Sequence, residues 1–485
     1  VGVSFRRVRS ALAFGLLGAL LAIVGAAVFA LNLKDDLEVW QTAYLDEEFV
    51  AASPVADFAE YLKLEDRLFK QLDDQVYAKT KPGDAMSMNR YQRGSRLDPS
   101  SRARNWNRSY VFESPAPTAG VLLLHGMSDS PYSLHHLGTS LHDAGATVIG
   151  LRIPGHGTIP SGLVRTTWED MAAAVRLAVV ELRQRVGDKP IYLVGYSNGG
   201  ALSLEFALSG IEDPSLPKID GIILISPAIG VTPAAALAVW QGRLGRWFGY
   251  EKLAYTGVGL EYDPYKYVSF ATNAGDQAYR ITRDIDERIT WLAEAGKLGE
   301  LPPILAFQSA VDATVSAPDL VSRLFARLPE GGHELVLFDI NRELQIQHIL
   351  ARDPKEDLTA LLSSNRPLYT LGVVSNESRE GFQAGQMLLR VRNAGSAKPE
   401  IQPLDMVWPD GVFSLSHIAL PFPGNDALYG GGEGKITLGN LAFRGERGVI
   451  GIPPGDMLRQ RWNPFYGFLE RRVHEFCGLV PPVER

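Results

Sequence analysis

The sequence predicts an α/β domain built on a mostly parallel central sheet with helices on both faces. Two observations carry this prediction. From Ser109 onward, short runs of continuous apolar residues alternate with amphipathic segments, and strands apolar on both faces belong to a sheet covered on both sides. The composition agrees, with 46% hydrophobic and 21% charged residues in a chain of 485, enough for a substantial core. That length exceeds one compact domain, so insertions or a second module are expected.

In chain order the strand-like runs begin with SYVFES, VLLLHG and TVIGLR. A helix from about Thr167 to Val186 follows, then IYLV with a second helix behind it, then GIILISPAI. Residues 231–301 interrupt the rhythm with Trp240, Trp247, Phe248, Tyr250, Tyr255, Tyr262, Tyr265 and Tyr267 and no clear strand. The rhythm resumes at PPILAFQSAVD and HELVLFDI, and breaks again from Asn341 to about Pro409. The loop FSLSHIALPFPGNDALYG and a helix from Asn463 to Phe476 come last. Ahead of the α/β region, Phe58, Tyr61, Leu62, Leu68 and Leu72 recur at helical spacing. The locally basic stretch from Lys79 to Arg108 reads as a solvated connection, with a lipid-headgroup or partner contact as the alternative. The expected division is therefore an anchor at 1–32, an extension at 33–108, a core at 109–230 and 302–485, a cap at 231–301, and a second insertion at 341–409 within that core.

The anchor rests on Ala11 to Leu31, which carries no charge and as a helix spans about 30 Å, a bilayer core. Arg6, Arg7 and Arg9 precede it and Lys34, Asp35 and Asp36 follow. That asymmetry predicts a single transmembrane helix with the rest of the chain on the extracytoplasmic, periplasmic side. The alternative is a signal peptide cut after Val28-Phe29-Ala30, giving a secreted protein. A net charge of -7, from 48 basic and 55 acidic residues, argues against a nucleic-acid partner bound through bulk charge. Cys477 is the single cysteine, so neither an intrachain disulfide nor a cysteine metal site is expected.

The sharpest motif is Gly195-Tyr196-Ser197-Asn198-Gly199-Gly200, lying between the strand IYLV and the helix ALSLEFAL. A strand-to-helix turn of this kind holds a serine in a strained conformation at the start of a helix, where free N–H groups face a developing anion. The alternative is a tight turn whose Ser197 merely caps the helix. Leu124-His125-Gly126-Met127 ends an earlier strand and runs into a polar loop. An acyl-transfer site needs two backbone donors for its oxyanion, and the amides of Met127 and Asn198 are the candidates. His125 is expected to hydrogen-bond within its loop.

Here the segments GVLLLHGMSDSPYSL, GLRIPGHG, GYSNGG, SAVDATV and SHIALPF resemble, in this order, bacterial carboxylesterases and monoacylglycerol lipases of the α/β-hydrolase superfamily. Peptidases of the proline-iminopeptidase type share that fold. The resemblance covers about 109–340 and 410–480. It implies an eight-stranded, mostly parallel sheet with a helical cap over the site, and a triad ordered serine, acid, histidine.

Asp312 follows a strand in ILAFQSAVDATV and is the candidate acid, with Asp339 its rival. His333, His348, His417 and His474 follow. His333 is expected at the far end of a strand and His474 on a surface helix. His348 has the more usual distance from the acid but sits in a helix-like run. His417 lies in a loop whose sequence resembles the family's catalytic loop, so it is the candidate base. Its distance from Asp312 requires 341–409 to be an insertion, which loop-closure entropy tolerates.

This reading expects a serine hydrolase that cleaves amphiphilic or lipid-like esters, such as a monoacylglycerol or a lysophospholipid, through an acyl-serine intermediate. No cofactor or metal is expected. A peptidase or amidase with the same triad is the alternative, with Glu251, Glu261 and Asp263 available to bind a free amine. A non-catalytic, membrane-tethered binding module is a further alternative. The aromatic residues of the cap line an acyl pocket or pack the cap onto the core; both readings stay open, as does the oligomeric state.

Overall fold

The computed structural model describes residues 36–230, 251–344, 367–431, 438 and 454–480, with residues 9, 14–19, 22 and 25 of the N-terminal segment. Most of Ala11–Leu31 therefore lies outside the described residues, as do His348 and the cap residues Trp240, Trp247, Phe248 and Tyr250. Among the described residues no helix is long and apolar enough to cross a membrane.

Helix α1, Phe58–Gln75, starts where Asp57 accepts the Glu60 amide at 2.8 Å, a side-chain N-cap. It buries Phe58, Tyr61, Leu64, Leu68 and Leu72 on one face. The sheet elements then follow as β1 (Tyr110–Phe112), β2 (Gly120–Leu124), α2 (His135–Asp143), β3 (Thr147–Leu151), α3 (Trp168–Val186), β4 (Ile191–Tyr196), α4 (Asn198–Glu212) and β5 (Gly221–Ile225). Within the expected cap region 231–301, β6 (Tyr255–Gly257) and β7 (Phe270–Ala271) form a small antiparallel pair ahead of α5 (Thr272–Glu294), which itself packs on the sheet. The core resumes with β8 (Ile304–Ser309) and β9 (Glu334–Phe338). After these come β10 (Thr370–Ser375), β11 (Leu388–Arg392), β12 (Glu400–Pro403) and α6 (Tyr466–Phe476).

One sheet of ten strands runs in the order β1-β3-β2-β4-β5-β8-β9-β10-β11-β12. The seven from β3 to β10 are mutually parallel; β1 at one edge and β11 at the other run antiparallel to them, and β12 pairs antiparallel with β11. Alternation along each strand sends Leu122, Leu193 and Leu224 to the face packed by α3, α4 and α5. Val121, Val194 and Ile223 face the other layer, with α2 and α6. The α/β fold with helices on both faces is thus the observed architecture.

The strand count corrects the expected eight. Residues 367–403 extend the sheet instead of only leaving and returning to it. The apolar run TLGVVS of β10 pairs in parallel with β9, Thr370 opposite Glu334 through Val374 opposite Phe338. Strands β11 and β12 are progressively exposed, so burial fades toward the edge.

The stretch Lys79–Arg108 is not a simple solvated connection either. Asn89, Arg90, Tyr91, Ser95, Leu97, Asp98 and Asn107 within it are buried. Arg90 can be buried because its guanidinium donates to Asn107 Oδ1 at 3.2 Å and lies near the carbonyls of Asp263 and Gly157. Beside it, Arg152 is enclosed by Glu48 and Glu65, with three N···O distances of 3.0 Å. The N-terminal extension is thereby tied to the loop after β3.

Candidate active site

Parallel strands deliver their C-terminal ends to one edge of the sheet, where ligands of such folds bind. Strand β4 brings Ser197 there. Its backbone adopts φ 53° and ψ -115°, the left-handed half of conformational space that a residue bearing a Cβ avoids. Hydrogen bonds hold this turn from both sides: Ser197 N–H donates to Ile225 O at 3.0 Å and Ala228 N–H donates to Ser197 O at 2.9 Å. The glycines make the close approach possible. A Cβ on Gly199 would lie 2.0 Å from Leu124 O, and one on Gly195 would lie 2.3 Å from Gly199 O.

Asp312 lies beyond β8 and His417 in the returning loop. His417 Nε2 is 3.0 Å from Ser197 Oγ, and its Nδ1 is 2.8 Å from Asp312 Oδ2. The structure therefore brings Ser197, His417 and Asp312 into one hydrogen-bonded line although 105 residues separate the last two. The loop is fixed to the sheet: Ser309 Oγ donates to Leu415 O at 2.8 Å and Asn341 N–H donates to Phe413 O at 2.8 Å. These bonds hold the segment around Phe413 and Leu415 beside β8 and the end of β9.

The Asp312 side chain is fully buried. Burial alone would raise its pKa, but His417 and the amides of Val315 and Thr314 outweigh that and hold it below the usual carboxylate value. Asp312 is thus an acceptor, able to receive Nδ1–H and leave Nε2 free to accept the serine proton.

Met127 and Asn198 flank Ser197, and among the described residues neither backbone amide donates to another protein group. Gly126 packs so closely that a Cβ there would lie 3.0 Å from the Tyr196 ring and 3.3 Å from Ser197 Cβ. Ser128, at φ 61°, turns the loop, and its carbonyl accepts Tyr267 N–H from the cap at 2.8 Å. His125 is bound within and beside its loop, with Nδ1 2.9 Å from Gly126 O and Nε2 accepting Ile153 N–H at 3.1 Å. Burial first, and then nearby His156, push its pKa well below the ordinary histidine value.

The rival residues are elsewhere engaged. Asp339 is paired with Arg342 at 2.8 Å and accepts Ser375 Oγ–H at 2.9 Å. His333 is buried before β9. His474 is wholly buried rather than on the surface, because α6 packs onto the sheet and its Nε2 meets Ser140 Oγ at 2.8 Å. His135, His136 and Asp426 bring possible metal-ligand atoms within 4.8 Å of one another. Those atoms already serve local bonds: His135 Nδ1 lies 2.5 Å from Tyr132 O, and Asp426 meets Tyr132 Oη, His136 and the amides of Leu428 and Tyr429.

A cavity of about 440 Å³ opens on Ser197 and His417. The described cap aromatics divide between two tasks: Tyr262 and Tyr267 line the cavity, while Tyr265 stacks on Tyr132 at 4.1 Å and Tyr255 Oη donates to Gln41 O. The cap carboxylates are largely spent on the fold. Glu261 accepts the amides of Val268 and Ser269, and Asp263 accepts Tyr429 Oη–H and the amides of Tyr265 and Lys266. Sequence reasoning missed Lys266, Arg459 and Arg461, which also line the cavity. Lys266 follows the noted Asp263 by three positions, but no motif marks the two arginines.

This sheet and edge geometry are those of the α/β-hydrolase fold. Residues 115–339 match the family described as Hydrolase_4, serine aminopeptidase, S33. The chain is similar to carboxylesterases and monoacylglycerol lipases of that superfamily. A thermostable monoacylglycerol lipase from Bacillus sp. (strain H-257) is 36% identical over 128 residues, 26% of this chain and 48% of the relative. Phospholipase YtpA from Bacillus subtilis (strain 168) is 28% identical over 127 residues, 25% of this chain and 45% of the relative. The chain thus spans about half the length of the curated relatives it matches. Among solved structures, Paleococcus ferrophilus monoacylglycerol lipase aligns with TM-score 0.37 and 21% identity, covering 48% of this chain and 88% of its own.

Proposed function

We propose that the protein is a serine carboxylic-ester hydrolase acting on amphiphilic esters, with Ser197 as nucleophile, His417 as base and Asp312 as orienting acid. The observation that carries this reading is the continuous line Ser197 Oγ–His417–Asp312, with steps of 3.0 and 2.8 Å. His417 Nε2 takes the hydroxyl proton as Ser197 Oγ attacks the ester carbonyl carbon. The carbonyl oxygen becomes an oxyanion facing the Met127 and Asn198 amides. Collapse of this intermediate expels the alcohol with the proton from His417 and leaves an acyl-Ser197. Water, deprotonated by the same imidazole, then releases the carboxylic acid.

The amphiphilic class is supported by the likeness to the Bacillus monoacylglycerol lipase and by the apolar character of Ala11–Leu31. We read that segment as a membrane anchor with the hydrolase on the extracytoplasmic side. In its support, Phe14, Leu16 and Leu17 are exposed. A chain lacking residues 1–32 is expected to leave the membrane fraction, and its retention there would refute the anchor. The hydrolase itself is tested with a fluorophosphonate probe. Labelling of the folded protein and its loss in Ser197→Ala are expected; a folded protein that takes up no label contradicts the proposal.

A further inference from the structure

The cavity beside Ser197 is walled by three cations that the reaction above does not use. Lys266 comes from the cap; Arg459 and Arg461 come from the segment before α6. Among the described residues none of the three has a carboxylate oxygen within ion-pair distance. The Lys266 amine makes no hydrogen bond to the described residues, although its backbone amide donates to Asp263. Arg459 donates to Thr314 Oγ1 at 3.1 Å, and the Thr314 amide in turn donates to Asp312. Arg461 is only 7% exposed. One terminal nitrogen of it lies 3.3 Å from Asp456 O and 3.5 Å from Tyr262 Oη, while its Nε is buried without a partner.

The nearby carboxylates Asp129 and Asp263 act on Lys266 at a distance, but among the described residues none pairs directly with the wall. Asp263 is engaged by Tyr429 and two amides, Asp129 accepts the Ser130 amide, and Asp456 is exposed. Burial chiefly, with Arg459 and Arg461 adding to it against Asp129 and Asp263, pushes the Lys266 amine below its ordinary value. Partly desolvated cations without a directly paired carboxylate are costly. A ligand bearing an anion would relieve that cost, whereas a substrate amine would raise it and a neutral glycerol would leave the donors without a strong acceptor.

We infer that the ester accepted here carries an anionic group, a phosphate or a carboxylate, a few bonds from the scissile carbonyl, held by Lys266, Arg459 and Arg461. The inference rests on the reading of Ser197 as the acylated nucleophile and narrows its substrate class away from neutral monoacylglycerols. It also disfavours the free-amine substrate of an aminopeptidase.

The test compares matched esters on the full chain. Oleoyl-lysophosphatidic acid is set against monooleoylglycerol, and the p-nitrophenyl half-ester of glutaric acid against p-nitrophenyl butyrate. In at least one pair the anionic member is expected to show a kcat/KM about tenfold or more above its neutral partner, the scale of one charge-assisted contact. Which pair responds tells a phosphate on the alcohol side from a carboxylate on the acyl side. The ratio should collapse toward one in Lys266→Met and Arg461→Gln and partly persist in Arg461→Lys. Equal or lower rates for both anionic esters, or ratios untouched by the substitutions, would overturn the inference. Calorimetric binding of dodecyl phosphate to the Ser197→Ala protein reads the anion site without chemistry. Binding weakened by Arg461→Gln, in a protein whose parent neither hydrolyses esters nor takes the fluorophosphonate, would uphold the anion site and sink the hydrolase reading. Hydrolysis of neutral esters without dodecyl phosphate binding would do the reverse.

Discussion

Replacing Arg152 by methionine should destabilise the protein more than almost any other single change away from the catalytic edge. The Arg152 side chain is fully buried, and the side chains of Glu48 and Glu65 keep only 13% and 3% of their exposure. Its guanidinium meets both Glu48 oxygens and one Glu65 oxygen at 3.0 Å, and the carbonyl of His156 at 3.1 Å. Methionine roughly fills the volume but leaves two carboxylates facing each other. Glu48 can recover some water, whereas Glu65 cannot, so the penalty is that of one buried pair broken, about 4 kcal/mol. Urea unfolding monitored by fluorescence measures it as a fall in midpoint with unchanged slope. The pH response gives a second handle. Burial, the dominant influence, already raises the Glu65 pKa against the pull of Arg152. Without Arg152 the carboxyl rises further and is neutral in the folded variant over a wider range, so the penalty should shrink between pH 8 and pH 5. Replacing Glu48, Glu65 and Arg152 together by apolar residues should cost much less than the single change. A loss below about 1 kcal/mol in the single variant, or one independent of pH, would refute the reasoning.

Three further outcomes follow from the site. Gly199→Ala forces a Cβ to within 2.0 Å of Leu124 O and should cost at least about 2 kcal/mol in the same urea assay, or prevent folding; wild-type stability would contradict the close approach. Asp312→Asn should lower kcat for a p-nitrophenyl ester by about four orders of magnitude with little change in KM, and a loss below tenfold would remove Asp312 from the triad. Asp129 is buried, and chiefly for that reason its folded pKa stands at about 7, above the roughly 4 of an unfolded chain. The favourable contribution of its protonated form is complete below the unfolded value and lost as pH rises through 7. Asp129→Asn should therefore stabilise the protein more at pH 8 than at pH 5, by about 2 kcal/mol, and an equal effect at both pH values would contradict the shift.

What the sequence disclosed depended on how local each feature is. The Ser197 turn is encoded within six residues, between an apolar strand and the helix behind it, and Gly195 and Gly199 announce the tight approach. Asp312 is equally local, sitting where a strand ends. His417 needed the long return of the chain, which its motif suggested but whose anchors, Ser309 Oγ on Leu415 O and Asn341 on Phe413 O, no local pattern encodes. His474 was misplaced because its helix has an ordinary amphipathic pattern, and its partner Ser140 is 334 residues away. The burial of Arg90 was hidden for a similar reason: Asn107, Gly157 and Asp263 reach it from three separate stretches. Strands β10 to β12 look like an excursion in sequence because only β10 has an unbroken apolar run. Arg459 and Arg461 resemble surface arginines until the cavity is seen.

The central claim is that Ser197 carries the acyl group during turnover. Its most direct measurement is mass spectrometry of proteolytic peptides after acid-quenching the protein during hydrolysis of p-nitrophenyl butyrate. A butyryl group on the peptide containing Ser197, absent from the Ser197→Ala protein and accumulating in a pre-steady-state burst, is the predicted result. Sustained hydrolysis with no acylated Ser197, or full activity in Ser197→Ala, would contradict it.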